Sequence, residues 1–198
     1  MCFLLCFSMD IILSEVVRMK RIVVILAMIS ALFLSGCTTA RNQTGRVVSK
    51  AKQEEYETYY RAVLDNPVFV QSSPNYDISF EMNQIPDGTY RYYVILDQAK
   101  TAMYDVIMIA VENDTAYDSA TKMMPSSGIF EDPVSLIPGQ VNKKDGYAKG
   151  IVMSGETDQK SVDLKILVEW SNQDHTEKSR EFIGVHLSPD GTTAIQKE

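Results

Sequence analysis

Between Ser49 and Asn66 the apolar residues recur at helical spacing: Tyr56, Tyr59, Tyr60, Val63 and Leu64 fall at i, i+3, i+4, i+7 and i+8. Glu54, Glu55, Glu57 and Arg61 take the other side, so the pattern predicts an amphipathic helix over 49–66. Ser49 can cap its start, and Asn66-Pro67 ends it, because proline disfavours a helical residue before it. Beyond Pro67 the period changes to two. Ile78, Phe80 and Met82 alternate with Asp77, Ser79 and Glu81, and Val162, Leu164, Ile166, Val168 and Trp170 alternate with Asp163, Lys165, Leu167 and Glu169. Both runs read as half-buried strands. Tyr90 to Leu96, Met103 to Val111, Tyr147 to Ser154 and Phe182 to Leu187 are further strand-like runs. Pro86-Asp87-Gly88, Gln98 to Thr101, Glu156 to Gln159 and Asn172 to His175 carry turn residues and read as hairpin turns.

Six to eight antiparallel strands after one helix predict a mainly β chain, an antiparallel β-sandwich over 67–198. The general pattern is immunoglobulin-like, although the Cys…Trp…Cys spacing of immunoglobulin domains is missing. Glu112 to Gly146 is long for a loop, and short strands could hide near Ile129-Phe130 or Val134 to Ile137. As an irregular surface it is a candidate partner-contact loop through Met123, Met124, Ile129 and Phe130, with Met123-Met124 alternatively plugging the open end of the sandwich.

The N-terminal region has a different logic. Met19-Lys20-Arg21 is followed by 13 uncharged residues, Ile22 to Leu34, and then by Leu34-Ser35-Gly36-Cys37. A cationic start, a short apolar stretch and a small-residue exit are the parts of an export signal. At about 1.5 Å per residue the stretch spans roughly 20 Å, short of the ~30 Å hydrocarbon core. Leu34-Ser35-Gly36-Cys37 resembles the lipobox of bacterial lipoproteins. That resemblance implies cleavage between Gly36 and Cys37, a diacylglycerol on the Cys37 thiol, and a domain held on the extracytoplasmic side of a bacterial cell membrane. Residues 38–48 then form a polar tether, and residues 1–18 are an upstream extension if translation starts at Met19.

Composition narrows the chemistry. With 45% apolar residues and 18 aromatic ones in 198, the chain can bury a real core. Its 19 cations against 26 anions disfavour nucleic acid as a partner. From Cys37 onward the charge is −8 and Cys37 is the sole cysteine, so the processed domain has no internal disulfide or cysteine nucleophile. Ser49-Lys50-Ala51-Lys52 and Ser119-Ala120-Thr121-Lys122 match a Ser-x-x-Lys pattern without its companion motifs. Glu112, Asp114 and Asp118 offer hard oxygen ligands without the glycine and terminal glutamate of a calcium loop, and Glu131-Asp132 are too close in sequence to oppose one another across a glycan. His175 reads as a solvated turn residue and His186 as an outward strand residue, a poor supply for zinc. No catalytic residue, metal or cofactor is implied. The functional expectation is therefore a membrane-anchored, non-catalytic binding or assembly module with an envelope protein or glycan as partner. An accessory subunit whose tyrosine stripe packs on another membrane-associated protein stands second, and a cell-envelope hydrolase third.

Overall fold

The computed structural model describes residues 49–195. The signal segment and the Gly36-Cys37 lipidation site lie outside the described residues.

Helix α1, Lys50–Asp65, begins where Ser49 accepts a bond from the Lys52 amide at 3.3 Å and ends at Asn66. The strands are β1 (Asp77–Gln84), β2 (Tyr90–Asp97), β3 (Met103–Glu112), β4 (Ser126–Ser127), β5 (Val134–Leu136), β6 (Gly150–Thr157), β7 (Val162–Ser171), β8 (Lys178–Ser188) and β9 (Gly191–Ala194). They form two antiparallel sheets, one ordered β1-β2-β6 and the other β4-β3-β7-β8-β9, with β5 also pairing β3. Lettering β1, β2, β3, β6, β7 and β8 as A, B, C, E, F and G gives ABE facing CFG. This is a β-sandwich, with the short β4 and β5 beside β3.

Turn chemistry explains two of the four expected hairpins. Between β1 and β2 Gly88 supplies a φ of +92° while Asp87 accepts from the Thr89 amide. Between β7 and β8 the Asn172 carboxamide oxygen accepts from the Thr176 amide at 2.9 Å. The other two are corrections: Gln98 to Thr101 and Glu156 to Gln159, the latter beginning inside β6, lie where the chain passes from one sheet to the other, because β2 pairs β6 and β3 pairs β7. The long segment contains β4, β5 and two short 3-10 turns, with a strand at Val134–Leu136 and none at Ile129-Phe130.

The large sheet is covered on both faces. Inward, Val106, Met108, Leu164, Ile166, Val168, Ile183 and Val185 meet Tyr92, Val94, Leu96, Ile151 and Met153 of the small sheet. Outward, Ile107, Ile109, Val111 and Leu167 pack beneath Tyr56, Tyr59, Tyr60 and Val63 of α1. The helix therefore makes a third layer. Leu167 and Glu169, expected on a solvated face of β7, are buried by it. Alternation by two shows which residues share a face and is blind to what covers that face.

Candidate functional site

Beyond the end of α1 the outer face of the large sheet is left open. There β7 contributes Asp163 and Lys165, β8 contributes Gly184 and His186, and β9 contributes Thr193. Register brings them together: Asp163 pairs with His186, Lys165 with Gly184, and His186 with Thr193. The residues after the helix, Asn66 to Phe69 and Gln71, form one wall of this cleft of about 780 Å³, with Asp114 and Ile195 among the remaining lining.

Local geometry builds the floor. Val70 lies parallel against β8, its amide donating to the Phe182 carbonyl and its carbonyl accepting from the Gly184 amide, each at 2.9 Å. This close approach requires glycine at 184, since a Cβ there would stand 2.8 Å from Phe69 Cβ. At the end of β3, Asn113 and Asp114 both adopt left-handed φ angles, +49° and +52°, in a turn closed by the Thr115 amide on the Glu112 carbonyl. Asn113 binds the Asp163 main chain in both directions, at 2.8 and 2.9 Å, which leaves Asp114 paired with the Lys165 ammonium. Lys165 Nζ also sits 5.1 Å from the centre of the Phe69 ring. His186 Nδ1 lies 2.6 Å from Asp163 Oδ1. Two carboxylates, one ammonium and one imidazole thus meet in the cleft as two pairs, Asp114 with Lys165 and Asp163 with His186.

A second cleft, of about 510 Å³, opens on the inner side of β9 beside Ile78, Phe80 and Val185. Pairing Val185 with Ala194 and Leu187 with Thr192 puts Ala194 and Thr192 on that side, while Thr193 faces the charged cleft. Strand β9 ends the large sheet and all four of its residues are exposed. Nearby Val68 is 65% exposed and Val70 46%.

Two buried carboxylates, Glu169 and Glu112, are tied into the frame. Glu169 accepts from Tyr59 at 2.6 Å, Lys178 at 2.7 Å and Arg180 at 3.0 Å. Burial alone would raise its pKa, but these donors outweigh it and hold the carboxyl below the ordinary value. Glu112 accepts from Tyr92 at 2.7 Å and from Lys122 at 2.8 Å. Burial, reinforced by Glu112, pushes the Tyr92 hydroxyl far up; burial also pushes Tyr56 up to about 12. These joints fasten α1 and the 113–125 segment to the sandwich.

The expected site residues fall as follows. Met124 and Ile129 are buried under α1, Phe130 packs partly buried beside Tyr56, and Met123 is 59% exposed. Of the candidate contact loop, Met123 alone presents a largely open apolar side chain. Glu112, Asp114 and Asp118 diverge, each beside its own cation, Lys122, Lys165 and Arg61. Ser119 donates to the Ala116 carbonyl, away from Lys122, and Glu131 accepts from the Gly128 amide. His175 Nδ1 lies 2.8 Å from an Asp105 carboxylate oxygen, where two left-handed residues, the bulged Asp105 and the turn residue His175, face one another. Sequence reasoning missed the pairing of Asp163 with His186. A signal existed: once the turn sets Ser171 opposite Lys178, counting outward residue by residue puts Asp163 opposite His186.

Compared with family models, curated proteins and solved structures, the chain finds no match. Among the described residues no helix is long and apolar enough to cross a membrane, and no three metal-ligating side chains form a group.

Proposed function

We propose that this protein is a lipid-anchored envelope protein of bacteria whose β-sandwich binds a partner. Membrane attachment rests on Leu34-Ser35-Gly36-Cys37 after a basic, apolar leader. The observation that carries the binding role is β9, an exposed terminal strand with a charged cleft on one face and a second cleft on the other. The accessory-subunit reading called for an exposed tyrosine stripe, and Tyr56, Tyr59 and Tyr60 are buried against the sheet.

The test uses the full chain in its own membrane, with a benzoylphenylalanine at position 68 for photo-cross-linking. A discrete adduct to an envelope component, lost from the membrane fraction together with labelled palmitate in Cys37→Ala, supports both parts of the reading. Absence of any adduct at position 68 in confirmed acylated protein overturns the binding role. Unchanged palmitate incorporation in Cys37→Ala overturns the anchor.

A further inference from the structure

We propose that the thioether of Met123 is a reversible oxidation site: it takes one oxygen from a peroxide to become a sulfoxide, which thiol-dependent sulfoxide reductases return to the thioether. This inference stands apart from the binding-module reading. Met123 and Met124 are neighbours with the same side-chain chemistry, and the fold separates them. Met123 is 59% exposed, whereas Met82, Met103, Met108, Met124 and Met153 are each at most 5% exposed. A thioether is oxidised where the oxidant can reach its sulfur, and a buried one must wait for local opening of the structure. Among the described methionines the fold therefore opens one to attack and shields five.

The exposure of Met123 is fixed from both sides. After it, the Tyr56 hydroxyl accepts from the Met124 amide at 2.8 Å and donates to the Met124 carbonyl at 3.3 Å, which seats Met124 beneath α1. Before it, the Lys122 ammonium donates to Glu112 at 2.8 Å and also to the Glu156 carbonyl. Between these two fastened residues the Met123 side chain lines a cleft of about 320 Å³ together with Arg91, Lys122 and Ser154. An oxygen added there meets solvent and polar neighbours. The same oxygen on Met108 or Met153 would be enclosed in the apolar core between the sheets.

The chemistry balances with peroxide as the two-electron oxidant. A sulfur lone pair attacks one peroxide oxygen, the S–O bond forms as the O–O bond breaks, and the other oxygen leaves as water with the proton of the transferred one. In the return step two thiols supply two electrons and two protons, become a disulfide and release the oxygen as water.

The probe is hydrogen peroxide, added to the full chain in detergent and followed over time by peptide mass mapping. Met123 and Met124 fall in one tryptic peptide, 123–143, so fragment ions compare them directly. Met123 is expected to gain oxygen at least about tenfold faster than any of the five shielded methionines. The singly oxidised protein should keep its melting temperature, and reductases for both sulfoxide epimers should restore its mass. Met123→Leu should lose the fast step and keep the slow ones. In concentrated guanidinium Met123 and Met124 should react at equal rates. Oxidation of Met124 or another shielded methionine as fast as Met123 in the folded protein overturns the assignment, as does a preference for Met123 that survives unfolding, because local sequence would then set it. A melting temperature lowered by the single oxygen, or a sulfoxide that the reductases leave in place, overturns its reversibility.

Discussion

The two faces of the large sheet are built to different rules. The inner face meets the small sheet mostly through aliphatic and methionine side chains, with the hydrogen-bonded Tyr92 among them and Tyr76 and Trp170 edge to face. The outer face is covered for part of its area by tyrosines whose hydroxyls reach Glu169, the Thr115 carbonyl and the Met124 backbone, and then it opens onto paired charges. An aliphatic layer is indifferent to small shifts of its partner, whereas a hydrogen-bonded tyrosine has few acceptable positions. The inner face therefore supplies most of the stability, and the outer face sets where the helix stops and the cleft begins.

Truncation separates the two most strongly. Ile166→Ala on the inner face is expected to cost about 2–5 kcal/mol in urea unfolding, and a loss under about 1 kcal/mol would overturn the division of roles. Glu169→Gln, which leaves Lys178 and Arg180 without their carboxylate, is expected to cost about 1–3 kcal/mol. Its effect should appear first as faster amide exchange in α1 while β2 and β6 stay protected. If exchange rises equally in both sheets, the helix is not a separable layer.

Titration probes the same contrast at smaller amplitude. Tyr56 and Tyr92 have folded pKa values above the ordinary 10.0, so the stability linked to their neutral hydroxyls is full below about pH 10. It is lost as pH rises through the folded values, about 12 for Tyr56. Absorbance of tyrosinate should show a late, cooperative step coincident with loss of the fold. Glu169 acts in the opposite sense: its folded pKa is lowered, so its contribution is full above the ordinary 4.5 and is lost on acidification below it. In Glu169→Gln that part of the acid sensitivity should disappear. The smallest effect is expected at the cleft, where Lys165→Ala, removing one partly exposed ion pair, should change stability by no more than about 1 kcal/mol.

Much of this architecture was legible before the structure. Helix α1 was readable because its cap, its tyrosine spacing and its proline stop agree with one another; β1 and β7 were readable by alternation, and four further strands as apolar, β-rich runs between turn residues. The layer above β7 was not, since Leu167 and Glu169 look like any outward pair until a helix 110 residues upstream in contact is known to lie on them. The two sheet crossings read as hairpins because glycine-poor polar turns serve both connections. At β9, Gly191-Thr192-Thr193-Ala194 is too short and too polar to stand out by periodicity. The charged cleft depended on strand register and on the paired left-handed residues Asn113 and Asp114, which follow from contacts rather than composition.

The reach from Tyr59 to Glu169 also governs how the chain can acquire its structure as it emerges N-terminus first. Helix α1 is made early, yet the surface its tyrosines rest on is not complete until β7 has appeared. Throughout that interval three aromatic side chains on one turn-and-a-half of helix have no floor beneath them. The newly made protein is thus stickiest at its beginning, and its last long strands are what silence it.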